Sequence, residues 1–430
     1  MAGVEGAGTG PDVSTKLAIV GAGWAGLAAA VAAVRAGHRV SLFEASRQVG
    51  GRARTLPVRL PDGTLLSLDN GQHILVGAYR QTLDMMRTVG IDPEQVLLRM
   101  PLTLRFPDGS GLALPAWSAP LDAAAGILRA KGWSLRDKLA LVHAASRWRR
   151  DAFECPPAAS VPDLCAGLTQ TVMTELVEPL CVSALNTPAA RASGQVFLRV
   201  IRDTLFEPGG SNLLLPRRDL GALFPDAAMQ WLAARGASVQ LGHRVQQLSP
   251  EAARWLVDGS RFDGVLLACP AAEAARLVAT GIAASQWPAA AGALQHEAIA
   301  TVYASGGRRL PLPMLALRSH AQHPAQFVFD RSQLGGPPGL LAFVVSACSE
   351  ERETVQRLIM AQASQLGWTG LHPVQTVLER RATFACTPGL RRPAAAIAPG
   401  LMACGDYVAG PYPGTLEGAV RSALEAVALT

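Results

Sequence analysis

The sequence predicts an α/β fold in which one parallel sheet is assembled from distant stretches of chain, with an α+β unit interleaved between them. Three observations predict it. A short apolar strand, Leu17–Val20, turns through Gly21-Ala-Gly-Trp-Ala-Gly26 into an alanine-rich helix. A second buried strand is expected far downstream, within Phe262-Asp-Gly-Val-Leu-Leu-Ala-Cys269. A third, Gly400-Leu-Met-Ala-Cys-Gly405-Asp406, reads as a strand ending in Gly405-Asp406 and precedes a helix opened by Gly414-Thr-Leu-Glu-Gly418.

In the first of these segments the spacing points to a ligand. Gly21 permits a tight turn, Gly23 lets the backbone approach a pyrophosphate, and Gly26 allows close helix–strand contact. Trp24 and Ala25 open the helix, whose N-terminus offers N–H groups and a positive dipole end to phosphates. A second strand, Arg39–Phe43, delivers Glu44 where a carboxylate accepts from ribose hydroxyls. Strand, turn, helix and acid at this spacing read as a Rossmann-like dinucleotide site. The uncharged run Leu17–Val34 is long enough for a membrane span, but its motif glycines divide it into strand, turn and helix.

The remaining elements follow in order. Residues 1–15, rich in glycine and without an apolar signal-like core, read as a disordered tail. A strand at Leu65–Leu68 leads into Asp69-Asn-Gly-Gln-His73. From Pro101 the pattern becomes irregular and richer in Trp and Arg, which suggests a different domain. An ordered block resumes near Asn212, with a helix expected over Leu220–Arg235. Strands around Thr301–Ala304, Gln326–Phe329 and Leu340–Ser346 and a helix at Glu350–Leu366 return to the second domain. The expected partition is 16–80, 210–290 and 390–430 for the dinucleotide domain, and 81–209 with 291–389 for the substrate domain.

Composition narrows the function classes. The net charge is +6, but lysines occur only at positions 16, 131 and 138, and the arginines are spread along the chain. No basic run is interleaved with aromatics, so no nucleic-acid partner is expected. The seven cysteines include no C-x-x-C, which fits buried free thiols of a reducing cytoplasm. No histidine spacing suits a metal, and none is expected.

Gly50-Gly51-Arg52 after Glu44 resembles the flavoprotein superfamily of amine oxidases, carotenoid desaturases and protoporphyrinogen oxidases. The resemblance implies FAD, with Arg52 near its phosphates and Val245 touching the adenine through its backbone. It implies Gly405 and Asp406 at the same cofactor, with Asp406 accepting from a ribityl hydroxyl. It also places Thr415 and Leu416, at a helix N-terminus, against the flavin pyrimidine edge, where reduced flavin carries negative charge. The fold implied is a discontinuous Rossmann-like FAD-binding domain with an interleaved α+β substrate domain. Amine oxidases place a lysine beside the flavin and an aromatic at the position of Thr415. This chain has no lysine after Lys138, and threonine stands at position 415. Within the isoprenoid branch, Leu68–Tyr79, Ala184–Ser193, Leu213–Pro225, Gly405-Asp-Tyr407 and Pro413–Ala419 resemble the squalene-associated FAD-dependent desaturases. That family implies reductive dehydroxylation of hydroxysqualene to squalene in bacterial hopanoid pathways, a long-chain isoprenoid substrate and a hydroxysqualene-producing synthase as partner. An isoprenoid desaturase with hydride moving the other way is the alternative; a non-catalytic flavin- and lipid-binding partner of a synthase is the more distant one.

Replacing an allylic hydroxyl by hydrogen needs a proton donor, a hydride and a dry apolar pocket. Asp69 and His73 are the candidate catalytic pair, with Gly71 and Gln72 between them expected to approach the flavin. Imidazole titrates near neutral pH, which suits a donor. The second reading is that both groups only brace the loop. Asp203 and Asp219, each beside an arginine, read as ion pairs. In Ile127–Arg150 the stripe Leu135, Leu139, Val142 is expected to face the core; a peripheral membrane contact, alongside Trp133, Trp148 and two lysines, is the other reading.

Overall fold

Six strands form the central sheet of the computed structural model, which describes residues 15–60, 63–282 and 285–430. The expected N-terminal tail thus lies outside the described residues, apart from Thr15. Their order is Ser238–Leu241, Arg39–Glu44, Lys16–Val20, Gly264–Leu267, Leu401–Ala403 and Ala396–Ala398. All neighbours are parallel except the last pair. First, middle and last parts of the chain meet here, as the three apolar strands predicted. The central strands read as continuous apolar runs because both faces are covered. Leu17 and Ile19 pack on one side with the first helix (Trp24–Arg35) and the last helix (Leu416–Ala428). Ala18 and Val20 pack on the other, toward Phe262 and Val257.

The helix expected over Leu220–Arg235 is instead two, Leu220–Leu223 and Pro225–Ala233. Pro225 cannot donate a backbone hydrogen bond and pushes Phe224 out of the helical region, to φ −155° and ψ −50°. The second domain is built on a five-stranded antiparallel sheet in the order Met314–Ala316, Phe327–Asp330, Leu341–Ser346, His296–Ser305, His372–Phe384. One face is closed by the Arg352–Gln365 helix through Val355, Ile359 and Ala363. Phe327, Phe329 and Val344 on the other face turn inward toward the interior cavity described below.

The Leu135–Arg150 helix corrects an expectation. Its Leu135, Leu139 and Val142 stripe is exposed, and the opposite stripe of Leu141, Ala144 and Trp148 enters the core. Both faces are apolar, so periodicity alone could not choose; Trp148 fits edge-on against Phe197 at 5.8 Å and fixes the phase. Asp219 also departs from its expected ion pair: it caps Leu220–Leu223 and accepts from Thr55 Oγ1 at 2.6 Å. Asp203 does pair with Arg202, at 2.7 Å. The seven cysteines are free, and all but Cys155 are buried. Among the described residues no helix is long and apolar enough to cross a membrane.

Candidate active site

A single cavity of about 980 Å³ runs from the C-terminal ends of the parallel strands to the inner face of the antiparallel sheet. That volume lies at the upper end of the range for small-molecule and cofactor sites. At one end it is bordered by backbone. Gly21 sits at φ +108°, and a Cβ there would lie 2.8 Å from the Ala268 carbonyl oxygen. Gly23 precedes the first helix with no side-chain cap, so that helix N-terminus stays open to the cavity. Gly26 does not line the cavity; it lets the helix press on the turn, since a Cβ would stand 1.8 Å from the Gly21 carbonyl oxygen.

Glu44 closes the turn from the side. Its carboxylate accepts from Ala22 N at 2.7 Å and Ser46 N at 2.8 Å. Gly50 N donates to the Ala22 carbonyl at 2.9 Å, tying the Gly50-Gly51-Arg52 segment to the same turn. Arg52 spans the cavity to Asp406 at 2.6 Å and also donates to the Ala382 carbonyl. Asp406 thereby holds the Arg52 guanidinium more firmly protonated than usual. Gly405, the residue before it, lines the cavity as well. Its N–H donates to Ser422 Oγ of the last helix at 2.8 Å, and a Cβ there would stand 2.7 Å from the Tyr407 ring. The strand end is thereby anchored to the helix that follows it, with bare backbone left facing the cavity. Val245 lines the cavity with its carbonyl held by Arg276 at 2.7 Å.

The loop Asp69–His73 is braced from the second domain. Tyr303 donates to the Asp69 carbonyl at 3.0 Å, Gln72 N to Thr301 Oγ1 at 3.4 Å, Arg331 to Gln72 Oε1 at 3.1 Å, and Asn70 to Glu379 at 3.2 Å. Gly71, Gln72 and His73 reach the cavity, whereas Asp69 does not. The Asp69 carboxylate is buried and accepts from Leu220 N at 2.8 Å; burial raises its pKa to about 6. His73 Nδ1 lies 2.9 Å from the Gly71 carbonyl, which makes Nδ1 the protonated nitrogen. Burial, with Arg52 adding to it, lowers the His73 pKa. The Nδ1 proton is therefore engaged by the Gly71 carbonyl.

Three residues were not singled out as site residues from the sequence. Tyr412, in a left-handed conformation at φ +58°, lines the cavity and hydrogen-bonds Asp203. Burial, then the Asp203 carboxylate, pushes its pKa to about 12, so its hydroxyl keeps its proton. Tyr79 stands edge-on to it at 6.1 Å and bonds Thr415, the N-cap of the last helix; burial raises its pKa too. Asn186, also left-handed at φ 46°, fastens three strands by accepting from Ala347 N at 2.6 Å and donating to Thr383 Oγ1 and the Glu297 carbonyl. Tyr79 and Asn186 lie within the resemblance segments Leu68–Tyr79 and Ala184–Ser193, but no spacing there gives them a role, and only the fold brings Tyr79 to Tyr412 and Asp203.

Beyond this polar cluster the lining is apolar, with Leu102, Leu104, Leu180, Met314, Phe327 and Phe329. No lysine is among the described residues lining the cavity. Among the described residues no group of three His, Cys, Asp or Glu side chains could hold a metal ion.

The chain is 30% identical to hydroxysqualene dehydroxylase of Rhodopseudomonas palustris, over 95% of this chain and 97% of that protein. It is 28% identical to the Sinorhizobium fredii protein of the same name, over 94% and 95%. The family described as flavin containing amine oxidoreductase matches residues 24–429. The chain belongs to that family. An oxidoreductase structure from Methanosarcina mazei shares the fold, with a TM-score of 0.71 at 16% identity over 95% of this chain and 99% of that one. The protein is an FAD-dependent oxidoreductase. The bare backbone at Gly21 and Gly23, the open helix N-terminus and the reach of the cavity fit such a dinucleotide.

Proposed function

We propose that this isoprenoid oxidoreductase reduces hydroxysqualene to squalene, replacing an allylic hydroxyl by hydrogen, in bacterial squalene and hopanoid synthesis. The observation that carries the reading is the split lining of one cavity, with a backbone cradle and polar cluster at one end and an apolar chamber at the other. The likeness to the Rhodopseudomonas palustris protein along almost the full chain supports it. Bound FAD, when reduced, supplies the hydride.

The cofactor's holders are proposed as follows. Gly21, Gly23, Trp24, Ala25 and Gly51 surround its pyrophosphate, with Gly26 setting the helix against the turn. Glu44 takes the ribose and Val245 the adenine side. Arg52 and Asp406 exchange their mutual pair for phosphate and ribityl contacts, and Gly405 lets the backbone beside Asp406 come close. Gly71 and Gln72 lie along the flavin, and Thr415 and Leu416 point N–H groups at its pyrimidine edge.

The chain's own residues do the rest. The apolar chamber holds the hydrocarbon and keeps water from the allylic cation that forms as the hydroxyl leaves. As the substrate hydroxyl enters, Tyr412 Oη releases its hydrogen bond to Asp203 and gives that proton to the departing oxygen, so that water leaves and hydride arrives at the same carbon. Asp203 positions Tyr412, and His73 braces the loop. Asp69 holds Leu220 and takes no part in the chemistry.

The test is anaerobic. The purified flavoprotein is reduced, hydroxysqualene is added, and flavin absorbance is followed while lipids are extracted for mass analysis. Flavin reoxidation with stoichiometric squalene is expected. No squalene, with bleaching of the oxidised enzyme by squalene or phytoene, would assign the opposite hydride direction and a desaturase. Prenyl-lipid binding by a flavin that no reductant reduces would assign a carrier.

A further inference from the structure

Six large apolar side chains lie exposed within one short stretch: Trp117, Leu121, Leu128, Leu135, Leu139 and Val142. Leu128 and Leu135 are 70% and 72% exposed. The other exposed large apolar residues among those described, Leu65, Leu241 and Leu429, are scattered along the chain. Leu121 and Leu128 share one stripe of the Leu121–Leu128 helix, at i and i+7. Leu135, Leu139 and Val142 share one stripe of the Leu135–Arg150 helix, at i, i+4 and i+7. Lys138 Nζ donates to the Leu128 carbonyl at 2.8 Å and ties the end of the first helix to the second. Singly exposed leucines need no explanation, but a contiguous apolar face does.

The charge on the same segment has one sign. Between Trp117 and Arg150 the cations are Arg129, Lys131, Arg136, Lys138, Arg147, Arg149 and Arg150. The acids are Asp122 and Asp137, both buried and hydrogen-bonded: Asp122 accepts from Ser211 at 2.7 Å, and Asp137 closes the capping box with Ser134. Two of the chain's three lysines stand here. Arg129 lies over the Trp117 ring at 5.2 Å, which joins the cationic rim to the apolar face. A second protein would bring acidic side chains to selected arginines. A rim dominated by cations, with exposed Asp151 beside Arg150 at its end, around leucine and tryptophan, matches an anionic bilayer surface.

We infer that the Trp117–Val142 face docks on anionic lipid, its leucines and Trp117 seated at the acyl boundary and its lysines and arginines among the headgroups. The face lies close to the chemistry. Beneath it a wholly apolar cavity of about 50 Å³ is walled by Ile127, Leu141 and Trp148 on one side and Phe197, Ile201 and Leu205 on the other. Those last three belong to the Gly194–Leu205 helix, whose opposite face, with Val196, Val200 and Asp203, lines the active-site cavity. One helix therefore separates the docking face from the apolar chamber. Docking stands on this surface alone and does not depend on which isoprenoid the chamber receives.

The experiment is co-sedimentation of the full-length flavin-loaded protein with phosphatidylcholine vesicles, with and without phosphatidylglycerol, at low and high salt. Binding is expected to need phosphatidylglycerol and to weaken with salt. Leu128→Ser, Leu135→Ser and Leu139→Ser together should lower partitioning by about 100-fold or more, since each buries an apolar side chain. Lys131→Glu with Arg136→Glu should lower it by about 10-fold or more on anionic vesicles. An unchanged flavin spectrum in each variant shows that it is folded. Equal sedimentation of wild type and the triple serine variant would overturn the inference. So would a concentration-dependent dimer, seen by light scattering, that the serine substitutions abolish, because a second copy would then cover the face. Hydroxysqualene turnover in detergent is expected to be unchanged by these substitutions, so failure here leaves the reaction assignment standing.

Discussion

Asp69→Asn separates a structural from a catalytic carboxylate, and the structure sets its size and pH dependence. The side chain is 2% exposed, and one oxygen accepts from Leu220 N at 2.8 Å. Burial raises its pKa from 3.8 to about 6, even after the Leu220 amide and Arg331 pull it down. The folded state thus binds this proton more tightly than the unfolded chain does. Stability therefore falls as pH rises from about 4 to about 6, and the loss is complete above that window. The ionised group costs the native state about 3 kcal/mol at pH 8 and under about 1 kcal/mol at pH 4. Asparagine keeps the acceptor for Leu220 and removes the charge, so it should recover that cost. With an unfolding entropy of about 0.9 kcal/mol/K for a chain of this length, the gain is about 3 °C in Tm at pH 8. The assay is thermal unfolding of the flavin-loaded protein from pH 4 to pH 8.5, with single-turnover flavin reoxidation at each pH. A Tm difference that does not change with pH would refute the burial argument. A large loss of reoxidation rate, with flavin retained, would restore Asp69 to the chemistry.

The other expectations concern the cradle and the proton donor. Tyr412→Phe should keep flavin and substrate binding while slowing single-turnover reoxidation by about 10²–10⁴-fold, whereas His73→Gln should leave it near normal; the reverse ranking would exchange their roles. Glu44→Ala removes the acceptor of two backbone N–H groups and should weaken FAD binding by about 10²-fold or more, read by flavin fluorescence titration. Gly26→Ala puts a Cβ 1.8 Å from the Gly21 carbonyl and should cost more than about 4 kcal/mol, giving little soluble, flavin-loaded protein; full flavin content would contradict the packing.

The parallel sheet was legible because its signals are local. Lys16–Val20 and Gly264–Leu267 are short apolar runs bounded by glycine or polar residues, and a strand buried on both faces cannot look otherwise. The glycine turn and Glu44 lie within one strand–helix–strand unit, so their spacing survives in the sequence. The exposed stripe of Leu135–Arg150 is illegible in the sequence for the opposite reason. A helix apolar on two faces has no unique inside, and the choice is made by Trp148 meeting Phe197, far along the chain. The break at Phe224 follows from Pro225, but the apolar pattern continues on both sides of it and conceals it in the sequence.

The proposed donor, Tyr412, is not legible in the sequence for a related reason. Sequence favours residues whose ordinary titration suits the task, and by that measure His73 stands out and Tyr412 does not. The surroundings of the two residues support the opposite ranking. Burial lowers the His73 pKa and the Gly71 carbonyl engages its Nδ1 proton, while Tyr412, bonded to Asp203, keeps its hydroxyl proton and lines the same cavity as the apolar side chains. That boundary also constrains the substrate. A long hydrocarbon with one hydroxyl gains by burying its chain against Leu104, Phe327 and Phe329, and loses if its oxygen enters the same chamber without a hydrogen-bond partner. On the proposed reading the tyrosines and Asp203 supply that partner near the start of the last helix, and the cost of every other placement directs the leaving oxygen there.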